Sequence, residues 1–242
     1  MKDKICFITG ADGAIGRAMT TEFIAAGMKV IATDLSFKKR NTELSSVTYY
    51  NLDVTKYIDI QKLFTTINDN TCIDVLVNCA GILRSKPFEH LTVQEWNQTL
   101  SVNLSGTFYT SQAAYQLMQH NNNGVIINIA SDAGEIGSTM SSADYAASKA
   151  GVIALTKCIA REGARYGIRA NCIAPGFIES EMLDKFKTYW GVEKLNQTVN
   201  EIPLKRMGKP EEVAKLAVYL ASDAASYITG ATLDLNGGSC MN

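Results

Sequence analysis

The sequence predicts an α/β chain: a doubly wound, mostly parallel sheet of seven strands with helices on both faces. Three observations predict it. Short apolar runs rich in β-formers alternate with stretches of crossover-helix length from end to end, the pattern of a parallel sheet. The first such run passes through a glycine-rich turn directly into a helical stretch. With 242 residues, 46% of them apolar, the chain can bury one large core, and residues 1–242 are read as one domain.

Residues 4–9 read as a buried strand, followed by Gly10-Ala11-Asp12-Gly13-Ala14-Ile15-Gly16 and a helix to residue 26 that Gly27 closes. Such a turn exposes backbone N–H groups at the positive end of the helix dipole, which makes it either a pyrophosphate seat or a plain tight turn. The second strand, residues 29–33, ends in Asp34. In a dinucleotide-binding βαβ unit an acid here accepts hydrogen bonds from the adenine ribose 2′-hydroxyl and repels a 2′-phosphate, which favours NAD over NADP. Lys38, Lys39 and Arg40 follow and are read as solvated loop cations rather than a phosphate clamp. The alternation continues with a strand at 48–52, a helix at 57–67, a strand at 73–77, a helical stretch over 93–118 and a strand at 125–130. A long helix at 144–166, a strand at 169–173, helical pieces between 181 and 220 and a last strand at 231–235 complete it, with no repeat or linker between.

Charge and composition exclude several function classes. A formal net charge of −1 offers no basic field for nucleic acid or an anionic membrane. The amino terminus enters its first strand without a signal-peptide apolar core, and no run is long enough to span a bilayer. Cys6, Cys72, Cys79, Cys158, Cys172 and Cys240 form no Cys-x-x-Cys pair, so a soluble protein of the reducing cytoplasm is expected. His90 and His120 have no second ligand or triad partner at a useful spacing, which argues against a metal site and against Ser-His-Asp hydrolysis.

The chemistry is read from Asp144-Tyr145-Ala146-Ala147-Ser148-Lys149, together with Ser131 upstream. On a helix, Tyr145 and Lys149 leave from one face, one turn apart. Moving a phenol from about pH 10 to about 7 requires roughly 4 kcal/mol. One ammonium about 4 Å away at an effective dielectric near 20 supplies about that much. The lysine can thus make the tyrosine a working acid or base, although the same spacing is common on solvated helix faces.

Gly10 to Gly16, Asp34, Asn78-Cys79-Ala80-Gly81, Asn103, Ser131, Tyr145, Lys149, Pro175-Gly176 and the closing Gly237-Gly238 stand in the order of one known family. The chain resembles the short-chain dehydrogenase/reductases of compact type over essentially its whole length. The resemblance implies a Rossmann-type domain. It also implies that Tyr145 is the acid/base, that Lys149 lowers its pKa and binds the nicotinamide ribose, that Ser131 holds the substrate oxygen, and that Asn103 fixes a water linking Lys149 to solvent. Cofactor contacts carried over with it are Gly10, Asp12, Gly13, Ala14, Ile15 and Gly16 at the pyrophosphate, and Asp34, Asp53 and Val54 at the adenosine. Asn78, Ala80 and Gly81 would back the dinucleotide, with Asn78 also bracing the central sheet, and Pro175, Gly176, Ile178 and Ser180 would face the carboxamide. Long helices like those at 104–118 and 144–166 build dimers of dimers in the family, so a homotetramer is expected.

Three departures are visible. Ala14 stands at the middle glycine of the family's Gly-x-x-x-Gly-x-Gly turn, with Gly13 before it to ease the bend. The interval from Ser131 to Tyr145 is one residue longer than the commonest, and Ser180 replaces a frequent threonine. Residues 179–204, with Phe186, Tyr189 and Trp190, stand where the family has its variable lid over a small-molecule substrate, and read by themselves equally as an amphipathic surface helix or a subunit contact. Arg84 and Lys86 sit in a pattern similar to that of relatives acting on sugar acids, which implies a reach to a substrate anion, while the residues by themselves read as solvated loop cations. The expected activity is therefore NAD(H)-dependent interconversion of a secondary alcohol and a ketone, on a small polyol or sugar acid. The alternatives are a 3-oxoacyl-[acyl-carrier-protein] reductase and a redox sensor that binds the dinucleotide without turnover.

Overall fold

The computed structural model describes residues 1–38, 45–68, 72–137 and 140–241. Lys39 and Arg40 lie outside the described residues. Strands β1 (Ile5–Thr9), β2 (Lys29–Asp34), β3 (Val47–Asn51), β4 (Val75–Asn78), β5 (Gly124–Ile129), β6 (Ile168–Pro175) and β7 (Thr232–Leu235) form one sheet in the order β3-β2-β1-β4-β5-β6-β7. All six pairings are parallel, and the register places Thr9 beside both Thr33 and Asn78, and Asn78 beside Asn128. The strand order reverses between β1 and β4, which opens a crevice at their carboxyl ends, the place where open α/β sheets bind ligands.

Side chains alternate across the pleat and so feed two cores. Cys6 and Ile8 pack with Met19 and Phe23 of α1 (Ala14–Ala25) and with Val213, Ala217 and Leu220 of α8 (Pro210–Ala221). Phe7, Leu76 and Ile126 face the other way, onto Ile60 and Phe64 of α2 (Tyr57–Asn68) and Met118 of α4 (Gly106–Asn121). Each fully buried side chain of this size contributes about 1.5–3 kcal/mol. The two layers hold the strand ends rigidly around the crevice.

The expected helix over 93–118 is α3 (Val93–Leu100) and α4 joined by a π-type turn at Ser101–Ser105. Asn103 is fully buried in that turn, and wide turns of this kind recur at functional sites because they redirect a side chain. Thr92 opens α3 with a reciprocal capping box to Glu95. The short α5 (Ala133–Ile136) follows β5, and α6 (Ala143–Gly163) continues as a 3₁₀ turn to Tyr166. The lid consists of a 3₁₀ turn, Glu181–Leu183, and α7 (Asp184–Glu201), which Gly191 kinks at φ 81°.

Candidate active site

The crevice starts at the turn after β1. Gly10 has φ +66°, and a Cβ there would lie 2.7 Å from the Ala80 backbone; a Cβ on Gly16 would lie 2.1 Å from the Gly10 carbonyl. Only glycine lets the three backbones meet. Gly13 caps α1 with φ −71° and no side-chain acceptor, so the first-turn N–H groups above Ala14 and Ile15 keep their capacity for a ligand. That φ is open to any residue, and a Cβ on Gly13 would meet nothing closer than 3.4 Å. The expectation that Gly13 eases the bend is therefore corrected: Gly10 and Gly16 make it.

Asp34 closes the far side. Its Oδ2 accepts from the Asp12 N–H at 2.9 Å and its Oδ1 from the Leu35 N–H at 2.7 Å, so the carboxylate stands at the end of β2 beside the turn. Asp53 accepts from the Thr55 N–H and hydroxyl, a local turn, while Val54 is buried under Gly106. Asn78 departs from expectation. Its amide donates to Ser111 and Asn128 and its carbonyl accepts from Thr110, all buried, so the side chain braces β4 to α4 and β5 and does not face the crevice. Both amide hydrogens and the carbonyl oxygen are thus satisfied by α4 and β5.

Beyond the switch point, the Cys79 and Ala80 amides both donate to Thr9 Oγ1 at 3.2 Å. Gly81 follows, and a Cβ on it would lie 3.5 Å from Asn103 Oδ1 and 3.6 Å from Lys149 Nζ. Asn103 accepts from the Ile82 N–H at 2.8 Å and donates to the Ile82 carbonyl and to Ser148 Oγ, each at 3.0 Å. Ser148 in turn donates to the Tyr145 carbonyl at 2.7 Å, which ties the π-type turn to α6.

Ser131, Tyr145 and Lys149 meet as the spacing predicts. The Tyr145 hydroxyl lies beside Ser131, which favours its ionised form, and Lys149 Nζ lies 5.7 Å from the centre of the tyrosine ring. The electrostatics differ from expectation. Burial pushes the Tyr145 phenol up to about 12, outweighing the Ser131 hydrogen bond, and burial also lowers the Lys149 ammonium, whose Nζ donates to the Ile129 carbonyl at 2.7 Å. A lysine at this distance, itself desolvated, does not offset what the phenolate loses in leaving water. The tyrosine thus holds its proton at neutral pH.

Arg84 and Lys86 do not face the pocket. Arg84 donates to Thr99 Oγ1 at 2.5 Å and to Gln98 Oε1 at 2.6 Å and lies 3.6 Å from the fully buried Asp144, which also accepts from Thr99 and Ser142. Lys86 is held by both oxygens of Glu95 at 3.0 and 2.8 Å. Both cations found acceptors on α3 and α6, which corrects their assignment to a substrate anion. The pocket beside Ser131 and Tyr145 is instead walled by Leu83, Phe177, Met182, Leu183 and Phe186. Pro175, Gly176, Ile178 and Ser180 also line it, and Ser180 Oγ donates to the Ile178 carbonyl at 3.2 Å. Trp190 pins the lid by donating from its indole to Ser85 Oγ at 2.5 Å and to the Met140 carbonyl at 3.1 Å. Asp132, which lines the same pocket, carried no sequence signal beyond adjacency to Ser131.

A family model described as Enoyl-(Acyl carrier protein) reductase matches residues 10–240. The 3-oxoacyl-[acyl-carrier-protein] reductase FabG of Thermotoga maritima is 39% identical, over 98% of each chain. The chain belongs to the short-chain dehydrogenase/reductases. Acetoacetyl-CoA reductase of Shinella zoogloeoides is 36% identical, covering 97% of this chain and 98% of its own. Among solved structures, the aldohexose dehydrogenase of Thermoplasma acidophilum superposes with a TM-score of 0.90 at 33% identity, covering 98% of this chain and 94% of its own. The chain is accordingly a Rossmann-type oxidoreductase acting between CH–OH and keto groups.

Short-chain dehydrogenase/reductases work with a nicotinamide dinucleotide, and the crevice fits one. The cradle at Gly10 and Gly16 is one that any Cβ would fill, the first turn of α1 has no side-chain cap, and Asp34 stands at the end of β2 with its carboxylate tied to the turn. Among the described residues no cluster of His, Cys, Asp or Glu could hold a metal ion, and no helix is long and apolar enough to cross a membrane.

Proposed function

We propose that this chain interconverts 3-oxoacyl and 3-hydroxyacyl thioesters with NAD(H). The observation that carries the substrate class is the wall of Leu83, Phe177, Met182, Leu183 and Phe186 over the Ser131–Tyr145 pair, with the two candidate anion anchors turned away. An apolar acyl chain gains from such a wall, whereas a polyol or sugar acid would lose hydrogen bonds to water there without replacing them. The activity named for the Thermotoga and Shinella relatives supports the same class. Sugar-acid oxidation, the activity expected from the Arg84 pattern, becomes the reading that the substrate test must exclude.

Gly10, Gly16 and the first turn of α1 hold the pyrophosphate, and Asp34 takes the ribose 2′-hydroxyl and disfavours a 2′-phosphate, which makes NAD the cofactor. The bound nicotinamide supplies or accepts the hydride. Tyr145 gives its proton to the carbonyl oxygen in reduction, the direction for which a phenol protonated at neutral pH is ready. Ser131 positions that oxygen, and Lys149 holds positive charge beside it. Asn103 and Ser148 fix the helix that carries Tyr145 and Lys149.

A 340 nm assay with NADH and NADPH against acetoacetyl-CoA, a 3-oxoacyl carrier protein, sugar acids and polyols tests the substrate class. Turnover of the thioesters is expected; turnover of sugar acids alone would overturn it. Tyr145→Phe should still bind NADH but lose turnover by about 10²–10⁴-fold. We also propose a homotetramer built on α4 and α6, where Phe108 is 42% exposed and Ala147, Ala150 and Ala154 lie exposed along one face. Light scattering should give four chains, and a monomer at all concentrations would remove that assignment.

A further inference from the structure

The residue after Ser131 is a carboxylic acid whose contacts no step above uses. Ser131 Oγ has one proton to donate, and two acceptors lie within its reach: Asp132 Oδ1 at 3.1 Å and the Pro175 carbonyl at 3.3 Å. Its lone pairs face the Ala133 N–H at 3.3 Å. An ionised carboxylate is the stronger acceptor and holds the serine proton; a protonated one releases it. The other carboxylate oxygen, Oδ2, accepts from Ser239 Oγ at 3.0 Å and packs on Gly176, where a Cβ would approach it to 3.1 Å. A hydrogen-bonded line therefore runs from Ser131 through Asp132 to Ser239 on the carboxyl-terminal segment.

We propose that Asp132 is a positioning residue for Ser131: its protonation frees the serine hydroxyl to donate to a substrate carbonyl, and its ionisation turns that hydroxyl away. Ketone reduction is thereby favoured on the acid side of the Asp132 titration and alcohol oxidation on the alkaline side. This rests on the assignment of Ser131 and Tyr145 made above. The groups that act on Asp132 are Ser131 and the Ala133 N–H beside it, Ser239 on the carboxyl-terminal segment, Asp234 on β7 and Tyr145 on α6, with Lys149 lining the same pocket, while the end of β6 brings Gly176 against it. Burial, joined by the Asp234 charge, holds the carboxyl above its ordinary range against the Ser239 and Ser131 hydrogen bonds, which brings the switch nearer to working pH.

The test is the pH profile of kcat/KM for acetoacetyl-CoA reduction by NADH, measured for the full chain and for Asp132→Asn and Ser239→Ala. The unmodified protein should lose up to about 100-fold across its alkaline limb, the value of one donor to a developing oxyanion. Asp132→Asn should flatten that limb with NADH affinity unchanged by fluorescence, and Ser239→Ala, which removes a donor to the charged form, should move it to higher pH. Coincident profiles for all three would overturn the proposal. A second arm needs no substrate: the ¹³C carboxyl resonance of Asp132 should titrate above the usual carboxylate range, and higher still in Ser239→Ala. Titration in the ordinary range, indifferent to Ser239, refutes the switch whatever the substrate is. Near-normal turnover by Tyr145→Phe would instead strike the underlying assignment and leave the carboxyl titration to decide the role of Asp132.

Discussion

The two halves of the crevice are built from different materials. The dinucleotide half, from β1 through the turn to β2, is mostly backbone: Gly10 against Ala80, Gly16 against Gly10, an uncapped first turn, and one carboxylate held by two main-chain N–H groups. The substrate half is mostly side chain. Arg84, Thr99, Ser142 and Asp144 lock the loop after β4 onto α3 and α6, and Trp190 seals the lid against Ser85 and Met140. The first half presents a fixed surface to a ligand of fixed shape, and the second leaves room to change a wall without moving the catalytic atoms.

Substitutions can break this contrast. The largest effect should come from Arg84→Met, which leaves the buried Asp144 without its cation and should cost about 3–5 kcal/mol in urea denaturation. A cost below about 1 kcal/mol would show that Thr99 and Ser142 suffice to hold the carboxylate. Next, Gly16→Ala forces a methyl into the Gly10 carbonyl and should cost about 1–3 kcal/mol and abolish NADH binding, whereas Gly13→Ala should leave binding within a few-fold of normal. Equal effects at the two glycines would contradict a backbone-built cradle. Asp34→Ala should shift the NADH-to-NADPH affinity ratio by about tenfold toward the phosphate form, worth about 1.4 kcal/mol, as read by fluorescence titration. Tighter NADPH binding by the unmodified protein would reject the role given to Asp34.

The smallest effect tests the exposed end of the substrate half. The Lys86 and Thr92 hydrogen bonds hold the Glu95 carboxyl down to about 2, so its contribution is present above its ordinary pKa and disappears as pH falls through about 2. Glu95→Gln should therefore lower the Tm slightly at pH 7 and not at pH 2. A difference that persists in acid would trace to the helix cap rather than to charge.

Sequence reading reached furthest where one residue type is needed for a local reason. The strand-turn-helix order, the role of Gly10 and Gly16, the placement of Asp34, and the one-face spacing of Tyr145 and Lys149 all follow from backbone geometry within a few residues. Asn78 shows where it stops. The expected bracing of the sheet is there, but the expected contact with the cofactor is not, because Ser111, Thr110 and Asn128 use the whole amide. Asp132 gave no sign of itself, since a lone acid in a turn has no periodicity to betray it.

By itself the sequence determined the parallel seven-stranded sheet, the glycine cradle and a tyrosine and a lysine on one helix face, because period, turn chemistry and helical spacing are local; Ser131 joined them only through the family resemblance. Tertiary structure alone decided that Arg84 and Lys86 turn from the pocket and that apolar side chains wall it. It alone also decided that the Tyr145 phenol stays protonated beside Lys149. Those outcomes depend on which acceptors and how much low-dielectric surroundings distant segments bring to each charge, and that competition is settled only when the chain is packed.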